Sequence, residues 1–309
     1  TVEGTANYEG DTKTLTVIVE KKAVAEPAVT GTYTYTGEEQ TAQLTGVESC
    51  MTVASGNKAT NAGSYEAVIT LDGNHKWANG SDGKVQWNMA KAKAEISVVT
   101  TPITVTYGDS VELPEATTNF GTVTCDKAAS DLVNAGTYTV TYSVAGTDNY
   151  EGDSKTVTVT INPKNITEAD VALDGSLVYT GEEQTQAVNV TDGITYEISD
   201  NKATNVGTYE LTVKGTGNYT GEVKLSWNIK AAAATVETVP EANDLTYTGE
   251  AQTLATAGTA NGGKVVYSLS KDGEYTETIP TGTNAGEYTV WYYVDGDYNH
   301  SDSAKASVK

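Results

Sequence analysis

The sequence contains no arginine, so all 19 of its basic residues are lysines, against 41 aspartates and glutamates. The formal net charge is −22 at pH 7 over 309 residues. A face that binds nucleic acid neutralises a row of phosphates with basic side chains. Here the acidic residues outnumber the basic ones by about two to one, so a basic face is not expected. Bidentate arginine clamps on phosphate or carboxylate groups are excluded outright. We therefore expect no nucleic acid among the partners.

Cysteines and long apolar runs are also scarce. The two cysteines, Cys50 and Cys125, are 75 residues apart, which is close to the repeat length described below. Residues one repeat apart in a tandem array do not usually approach within the roughly 7 Å that a disulfide requires. No stretch of about 18 apolar residues is present, so we expect no membrane-spanning segment.

Threonine is abundant, at 51 residues, together with 30 glycines and 19 tyrosines. Several segments alternate between apolar and polar residues; Val157, Val159 and Ile161, for example, are separated by threonines. Such alternation predicts strands with one buried and one solvated face, and threonine suits the solvated face. No segment has helical periodicity, so the sequence predicts an all-β fold.

A five-residue motif, Asn-x-Gly-x-Tyr, occurs four times at intervals of 73, 71 and 79 residues. Each copy follows a Tyr-Gly or Tyr-x-Gly segment and precedes a loop and an alternating strand. Regular short strands and turns of this kind predict small antiparallel sandwiches. We predict a linear array of four repeats, with bounds 23–93, 94–164, 165–230 and 231–309.

The repeats alternate between two types. Residues 35–41 recur letter for letter at 179–185, and residues 4–14 recur almost intact at 146–156. Residues 1–22 are therefore predicted to be the C-terminal hairpin of a truncated repeat. Because the sequence opens inside a repeat, we expect a fragment whose address signals lie elsewhere. The fourth repeat is mixed in type, and its insertion at 268–280 has a predicted turn at Asp272-Gly273.

The Asn-x-Gly-x-Tyr spacing resembles the Asp-x-Gly/Ala-x-Tyr run that opens strand F of immunoglobulin-like domains. The chain as a whole resembles the tandem bacterial immunoglobulin-like repeats of Gram-positive surface proteins, including the group labelled MBG. That resemblance implies that the motif tyrosines make a corner hydrogen bond to the backbone. It also implies a secreted, extracellular location on the bacterial cell surface. The motif tyrosines are Tyr65, Tyr138, Tyr209 and Tyr288.

The leading functional hypothesis is a non-enzymatic stalk or adhesin segment that projects or presents a binding region. Junctions between repeats are short, such as residues 91–95, so we expect little bending between neighbours. Catalytic candidates are few, since His75 and His300 are the only histidines and fall in equivalent loops of different repeats. We predict no enzyme activity and no catalytic residues.

A carbohydrate-binding module is the alternative, because strand parity places Trp291 and Tyr293 on the solvated face of repeat 4. An exposed aromatic pair can stack on a sugar ring. Against this alternative, we expect the insertion at 268–280 to cover the pair. Trp77, in a hairpin tip of repeat 1, is a further candidate, for which we expect a contact with the neighbouring unit rather than with a ligand. The partner of such a module would be a host or extracellular glycan or protein.

No cofactor and no metal site are predicted. The loop at 295–302 is rich in oxygen ligands, but His300 and Ala306 stand where an EF-hand has glycine and glutamate. Calcium therefore stays an open alternative rather than a prediction.

The last alternative concerns oligomers. Residues 1–22 cannot bury their apolar side chains Leu15, Val17 and Val19 within a hairpin of their own. This segment would then add to an edge strand of repeat 1 or of another molecule. A monomer is the default expectation, and a strand-exchange polymer is the alternative.

Overall fold

The computed structural model describes all 309 residues, and its regular structure consists of short β strands and two 3-10 helices, Ala129–Asp131 and Glu168–Asp170. The predicted all-β fold is confirmed. No helix is long and apolar enough to cross a membrane. The chain forms two compact units, one made of residues 1–103, 111–132 and 138–159, the other of 104–110, 133–137 and 160–309. The four-repeat division stays a prediction, and repeats 1 to 4 are used below as names for its ranges.

Thirty-seven strands follow one another along the chain. The first ten are β1 Lys22–Val24, β2 Ala28–Thr30, β3 Tyr33–Thr34, β4 Gln40–Thr41, β5 Gln43–Thr45, β6 Met51–Ser55, β7 Lys58–Ala59, β8 Gly63–Leu71, β9 His75–Trp77 and β10 Lys84–Ala90. The next eight are β11 Ala92–Lys93, β12 Ile96–Ser97, β13 Ile103–Thr106, β14 Thr117–Thr118, β15 Thr124–Cys125, β16 Gly136–Val144, β17 Tyr150–Glu151 and β18 Asp153–Asn162. Ten more are β19 Lys164–Asn165, β20 Val171–Asp174, β21 Leu177–Val178, β22 Gln184–Thr185, β23 Ala187–Val190, β24 Tyr196–Ser199, β25 Lys202–Ala203, β26 Gly207–Gly215, β27 Tyr219–Thr220 and β28 Glu222–Lys230. The last nine are β29 Ala232–Ala233, β30 Thr235–Thr238, β31 Gln252–Thr253, β32 Thr259–Asn261, β33 Gly263–Ser268, β34 Thr281–Gly282, β35 Val290–Gly296, β36 His300–Ser301 and β37 Ala306–Val308.

In the first unit, the main sheet of repeat 1 has the order β3-β10-β8-β6. Strands β8 and β10 are antiparallel, with Tyr65 opposite Trp87. The two-stranded pairs β2-β5 and β4-β7 complete the repeat. The core lies between these layers and includes Ala67, Ile69 and Met89, all of which are almost fully buried.

The second unit contains the same arrangement in repeat 3, where the main sheet has the order β21-β28-β26-β24. Its core includes Leu211, Trp227 and Ile229. Repeat 4 differs, because its main sheet is three-stranded, in the order β33-β35-β37. Strand β37 ends at Val308, which lies opposite Val290.

Strand alternation accounts for the position of each core. Along β18, Val157, Val159 and Ile161 are buried, and the intervening Thr158 is exposed. The predicted inward parity of the final strands is therefore confirmed, and the threonines occupy the solvated positions because a polar β-branched side chain fits a wet strand face.

A tryptophan anchors the main sheets of repeats 1 and 3. The indole of Trp87 donates to the carbonyl of Gly56 at 2.8 Å, and that of Trp227 donates to the carbonyl of Asp200. Both acceptors have a left-handed backbone, with φ of 76° at Gly56 and 59° at Asp200. Aspartate is one of the few non-glycine residues that tolerate this conformation.

Parallel strand pairs were not anticipated from the sequence. Within the main sheets, β3 pairs in parallel with β10, and β21 with β28. In addition, a short strand at the start of each repeat, or in the linker just before it, pairs in parallel with the short strand after the Asn-Tyr or Asn-His loop of that repeat. These pairs are β1-β9, β11-β17, β19-β27 and β29-β36. Residues 1–21 contain only the isolated bridges Val2–Asp11 and Thr5–Tyr8.

Replacing Leu211 by alanine tests whether the β26-β28 layer sustains the core of repeat 3. Leu211 is fully buried, so truncation should lower the free energy of unfolding by about 2–5 kcal/mol. Hydrogen exchange of β26 and β28 amides against denaturant measures the loss. The control is Thr208→Ala on the exposed face of the same strand, which should stay within about 0.5 kcal/mol of the parent. Equal losses in both variants would contradict this core.

Candidate functional site: the joints between repeats

The motif tyrosines shape a loop at one end of the repeats. The hydroxyl of Tyr65 donates to the carbonyl of Asn61 at 2.6 Å, and the hydroxyl of Tyr209 donates to that of Asn205 at 2.8 Å. In repeat 4, the Tyr288 hydroxyl donates to the Asn284 carbonyl at 2.9 Å. Tyr138, the fourth member, is half-buried. Each of the three bonds closes the Asn-x-Gly-x-Tyr turn across four residues.

In two of the four turns, the tyrosine ring lies against the motif glycine. At Gly63, φ is +157° and an added Cβ would meet the Tyr65 hydroxyl at 3.5 Å. At Gly207, the Tyr209 hydroxyl would be 3.2 Å from such a Cβ. The motif thus presents its asparagine and the next backbone N–H outward, on a loop that its own tyrosine fixes.

An asparagine of the following repeat binds this loop. The side-chain oxygen of Asn149, in repeat 2, accepts the backbone N–H of Ala62 at 2.8 Å. Its side-chain nitrogen donates to the side-chain oxygen of Asn61 at 3.0 Å. One amide therefore satisfies one donor and one acceptor of the preceding repeat.

The same pair of bonds recurs at the other two joints. Asn218 accepts from Ala135 N–H at 2.7 Å and donates to Asn134 at 2.9 Å. Asn299 accepts from Val206 N–H at 2.9 Å and donates to Asn205 at 3.2 Å. Because a backbone N–H can only donate, the atom of the asparagine side chain that faces it must be the oxygen, which fixes the orientation of the side-chain amide. We call this arrangement the asparagine clamp, formed by Asn149, Asn218 and Asn299.

An aromatic contact accompanies each clamp. The tyrosine of the Tyr-Gly or Tyr-x-Gly segment meets, edge to face, the ring that follows the clamp asparagine. The ring centroids are 5.4 Å apart for Tyr35–Tyr150, 5.4 Å for Tyr107–Tyr219 and 5.2 Å for Tyr179–His300. Such pairs add about 0.5–1.5 kcal/mol beyond the area that they bury.

The backbone of the clamp asparagine is held by the short strand at the junction before its repeat. The carbonyl of Asn149 accepts the Ala92 N–H at 3.0 Å, and that of Asn218 accepts the Lys164 N–H at 2.9 Å. Asn299 accepts from Ala232 N–H in the same way. Each clamp residue therefore makes three hydrogen bonds, two from its side chain to the preceding repeat and one from its backbone carbonyl to the linker strand. A shift of its loop would break all three.

A carboxylate shapes the clamp loop of repeat 4. Asp297 accepts the Nδ1–H of His300 at 2.7 Å and the backbone N–H of Asn299 at 2.8 Å. These two bonds, that from His300 first, hold the pKa of Asp297 below its ordinary value of 3.8. In repeat 1, the bond from His75 and the backbone N–H of Asn74 likewise lower the pKa of Asp72.

The predicted ligand-binding pair of repeat 4 is covered by its insertion. The Nζ of Lys271 lies 5.4 Å from the centre of the Trp291 ring, and the Tyr275 ring meets that of Tyr293 edge-on at 4.9 Å. Lys305 Nζ lies 5.9 Å from the Tyr293 ring. Trp291 and Tyr293 are accordingly half-buried. The insertion does contain a turn, closed by the Gly273 N–H on the Ser270 carbonyl, but its central residues are Lys271 and Asp272, one position before the predicted Asp272-Gly273.

Trp77, the third candidate, is half-buried and packs against the core of repeat 1. Its role in ligand binding stays a prediction.

No group of three His, Cys, Asp or Glu side chains has the arrangement needed to hold a metal ion. In the loop at 295–302, Asp297 is engaged as described, and Asp302 accepts the Gly296 N–H at 3.0 Å. Both cysteines are free thiols, half-buried at Cys50 and exposed at Cys125.

The sequence did not predict the clamp, because the loops around Asn149 and Asn218 resemble ordinary Asn/Gly turns. One feature could have indicated it, since the asparagine precedes an aromatic ring at the same place in every repeat. The partner of Asn149, Ala62, is 87 positions away, and no local pattern identifies a partner at that separation.

Comparisons with known proteins give little beyond this geometry. No protein-family model matches the chain, and no curated protein matches it. Among solved structures, it is similar to Protocadherin Gamma B2 extracellular cadherin domains 3-6, at 12% identity and a TM-score of 0.24. That alignment covers 93% of this chain and 97% of the other. A score this low leaves the fold and function to be argued from the chain itself.

Replacing Asn218 by alanine tests the clamp directly. The change removes both bonds to the preceding repeat, each worth about 0.5–1.5 kcal/mol. We expect the Ala135 amide to exchange roughly fivefold to a hundredfold faster with solvent. The matched control is Asn189→Ala, an exposed strand residue of the same repeat, which should leave Ala135 unchanged. Unaltered exchange in Asn218→Ala would contradict the clamp.

The lowered pKa of Asp297 predicts an acid-sensitive loop in repeat 4. A carboxyl whose folded pKa is depressed stabilises the fold above its unfolded pKa, and the contribution disappears as pH falls through the folded value. The Asn299 and His300 amide resonances should therefore shift with a midpoint below pH 3.8. In Asp297→Asn this transition should vanish. A midpoint at or above the ordinary value would contradict the bonding described.

Proposed function

We propose that this chain is a non-enzymatic, extracellular stalk or adhesin segment, built from tandem immunoglobulin-like repeats of the MBG kind on a Gram-positive cell surface. The observation that supports it most is the recurrence of one joint three times, with the same asparagine clamp and aromatic contact. A catalytic or ligand site has no reason to recur at every junction, whereas a load-bearing or presenting array needs this repetition.

Each joint is suited to transmitting force along the chain. Linkers such as residues 91–93 are too short to act as flexible tethers, and their strands are bonded to the repeat that they enter. The solvated threonine faces and the net charge of −22 favour solubility of an exposed array. Nothing in this reading requires a cofactor.

Single-molecule stretching tests both the function and the proposed bounds of the repeats. An array of four mechanical repeats should unfold in four steps, each releasing about 250 Å of chain for roughly 70 residues. Loading the chain through its two termini and counting steps is the measurement. Two large steps, or one, would contradict the proposal that each repeat bears force independently.

A carbohydrate-binding module stays as the alternative proposal, through Trp291 and Tyr293, with Trp77 as a separate candidate. A sugar could stack on Trp291 only after Lys271 moved away from the ring. The alternative therefore predicts that Lys271→Ala strengthens binding on a glycan array and that Trp291→Ala abolishes it. We expect no glycan signal from the parent or from either variant.

A further inference from the structure

Repeat 2 has an open cavity of about 450 Å³ beside β15, the edge strand of its main sheet. All of the lining residues belong to the first unit. An apolar cavity of about 150 Å³ is enough to hold benzene, so this one has room for a small aromatic ligand. The lining includes Leu113, Pro114, Ala116, Val123, Cys125 and Tyr142.

The sequence of repeat 4 aligns with two segments of this lining. Residues 114–125 match residues 256–267 without a gap, and a threonine, an asparagine, a glycine and a valine are identical between them. In this alignment, Cys125 corresponds to Tyr267, and Ala116 corresponds to Gly258.

The strand pairing gives the same correspondence. Cys125 lies opposite Tyr142, and Tyr267 lies opposite Tyr292. Each of these two partners stands four residues after the motif tyrosine of its repeat. Tyr267 is only 3% exposed. A buried phenol ring in repeat 4 therefore takes the place that a short thiol side chain has in repeat 2.

Repeats 1 and 3 carry aliphatic side chains at this place. Val53 lies opposite Ile69, and Ile198 lies opposite Val213. Both Val53 and Ile198 pack against the core of their repeat. Cys125 is instead exposed. Repeat 2 therefore has the smallest side chain at this place, and the cavity lies beside it.

The hydroxyl of the repeat 4 tyrosine has a defined partner. Its oxygen accepts the backbone N–H of Gly258 at 2.7 Å. The corresponding N–H in repeat 2 is that of Ala116, which lines the cavity and makes no hydrogen bond within the chain. The cavity thus offers an aromatic wall, Tyr142, and a hydrogen-bond donor at the two positions that hold a phenol in repeat 4.

The polar groups of the lining favour a neutral ligand. The Tyr142 hydroxyl donates to the Pro114 carbonyl at 2.8 Å. The ammonium group of Lys127 is paired with the carboxylate of Asp126 at 2.6 Å. Glu115, which is exposed at the lining, would repel an anion. The cavity therefore has no unpaired positive charge for a carboxylate or a phosphate.

We propose that this cavity binds a neutral phenol ring. The ligand's hydroxyl oxygen accepts the Ala116 N–H, as the Tyr267 hydroxyl accepts that of Gly258, and its ring contacts the ring of Tyr142. The ligand is a free phenol or the side chain of a tyrosine in another protein, since both present the same ring and hydroxyl. This site does not depend on the stalk function proposed above.

NMR titration of the full chain with 4-methylphenol, the side chain of tyrosine without its backbone, tests the site. The amide resonances of Ala116 and Cys125 should shift in a saturable way, and the Ala116 amide proton should move downfield because it gains an acceptor. Toluene, which lacks the hydroxyl, should not move that proton downfield. The absence of a saturable shift up to the solubility limit of 4-methylphenol would overturn the proposal.

Cys125→Tyr places the ring of repeat 4 in the cavity and should abolish the response of the Ala116 amide. Cys125→Ile, which introduces the residue of repeat 3, should weaken binding several-fold and provides a second test if the tyrosine variant does not fold. Unchanged binding in a folded variant of either kind would overturn the proposal.

The matched control is Ser143→Tyr, which also introduces the residue of repeat 4. Ser143 lies opposite Thr124 and is not part of the cavity lining, and its side chain points to the other face of the sheet because side chains alternate along a strand. The titration should therefore proceed as in the parent. Loss of binding in this variant as well would overturn the assignment to the cavity.

N-acetyltyrosinamide distinguishes the two sources of the ring, because it carries peptide groups on both sides of the same side chain. Binding at least as tight as that of 4-methylphenol assigns the site to a tyrosine of another protein. Exclusion of N-acetyltyrosinamide from a site that binds 4-methylphenol assigns it to a free phenol. Binding of neither probe would overturn the proposal, while the stepwise unfolding expected of a stalk would be unaffected.

Discussion

The arrangement of the chain depends on one bifunctional side chain, the asparagine that accepts a backbone N–H and donates to a second asparagine across each joint. Only the two amide side chains offer a carbonyl oxygen and an NH₂ group side by side, and glutamine is longer and less rigid than asparagine. An ionised aspartate would accept the backbone N–H but could not donate to the second asparagine. The clamp thus explains why asparagine stands in both motifs, Asn-x-Gly-x-Tyr and Asn-Tyr/His.

Around that interaction, each element has a definite task. The motif tyrosine closes the loop that presents the two partners. The entering strand binds the carbonyl of the clamp asparagine, while Ala94, Ile166 and Ala234, just beyond the linkers, are buried in the repeat that follows. Only a few residues of chain therefore separate each joint from the core of the following repeat.

Strand parity made much of the fold predictable. The inward positions of β18 and β28 and the absence of α-helices follow from alternation, which is a local property. Strand alternation also predicts that Trp291 lies on the solvated face of its strand. It does not predict that Lys271 lies over the indole ring, because that residue belongs to an irregular insertion. The clamp and the parallel linker pairs depend on contacts between residues more than 50 positions apart. Pairings at this separation cannot be predicted from local sequence patterns, because they depend on how the repeats pack together.

Each repeat carries one half of the joint at each of its ends, and the halves are alike in all repeats. Either type can therefore follow the other without any compensating change in sequence. Repeats can therefore be added to or removed from such a chain with the joints unchanged, provided that the linker length is kept. A one-residue change there would turn the buried residue of the entering strand to solvent. The length of the array is thus free to vary, while its joints are not.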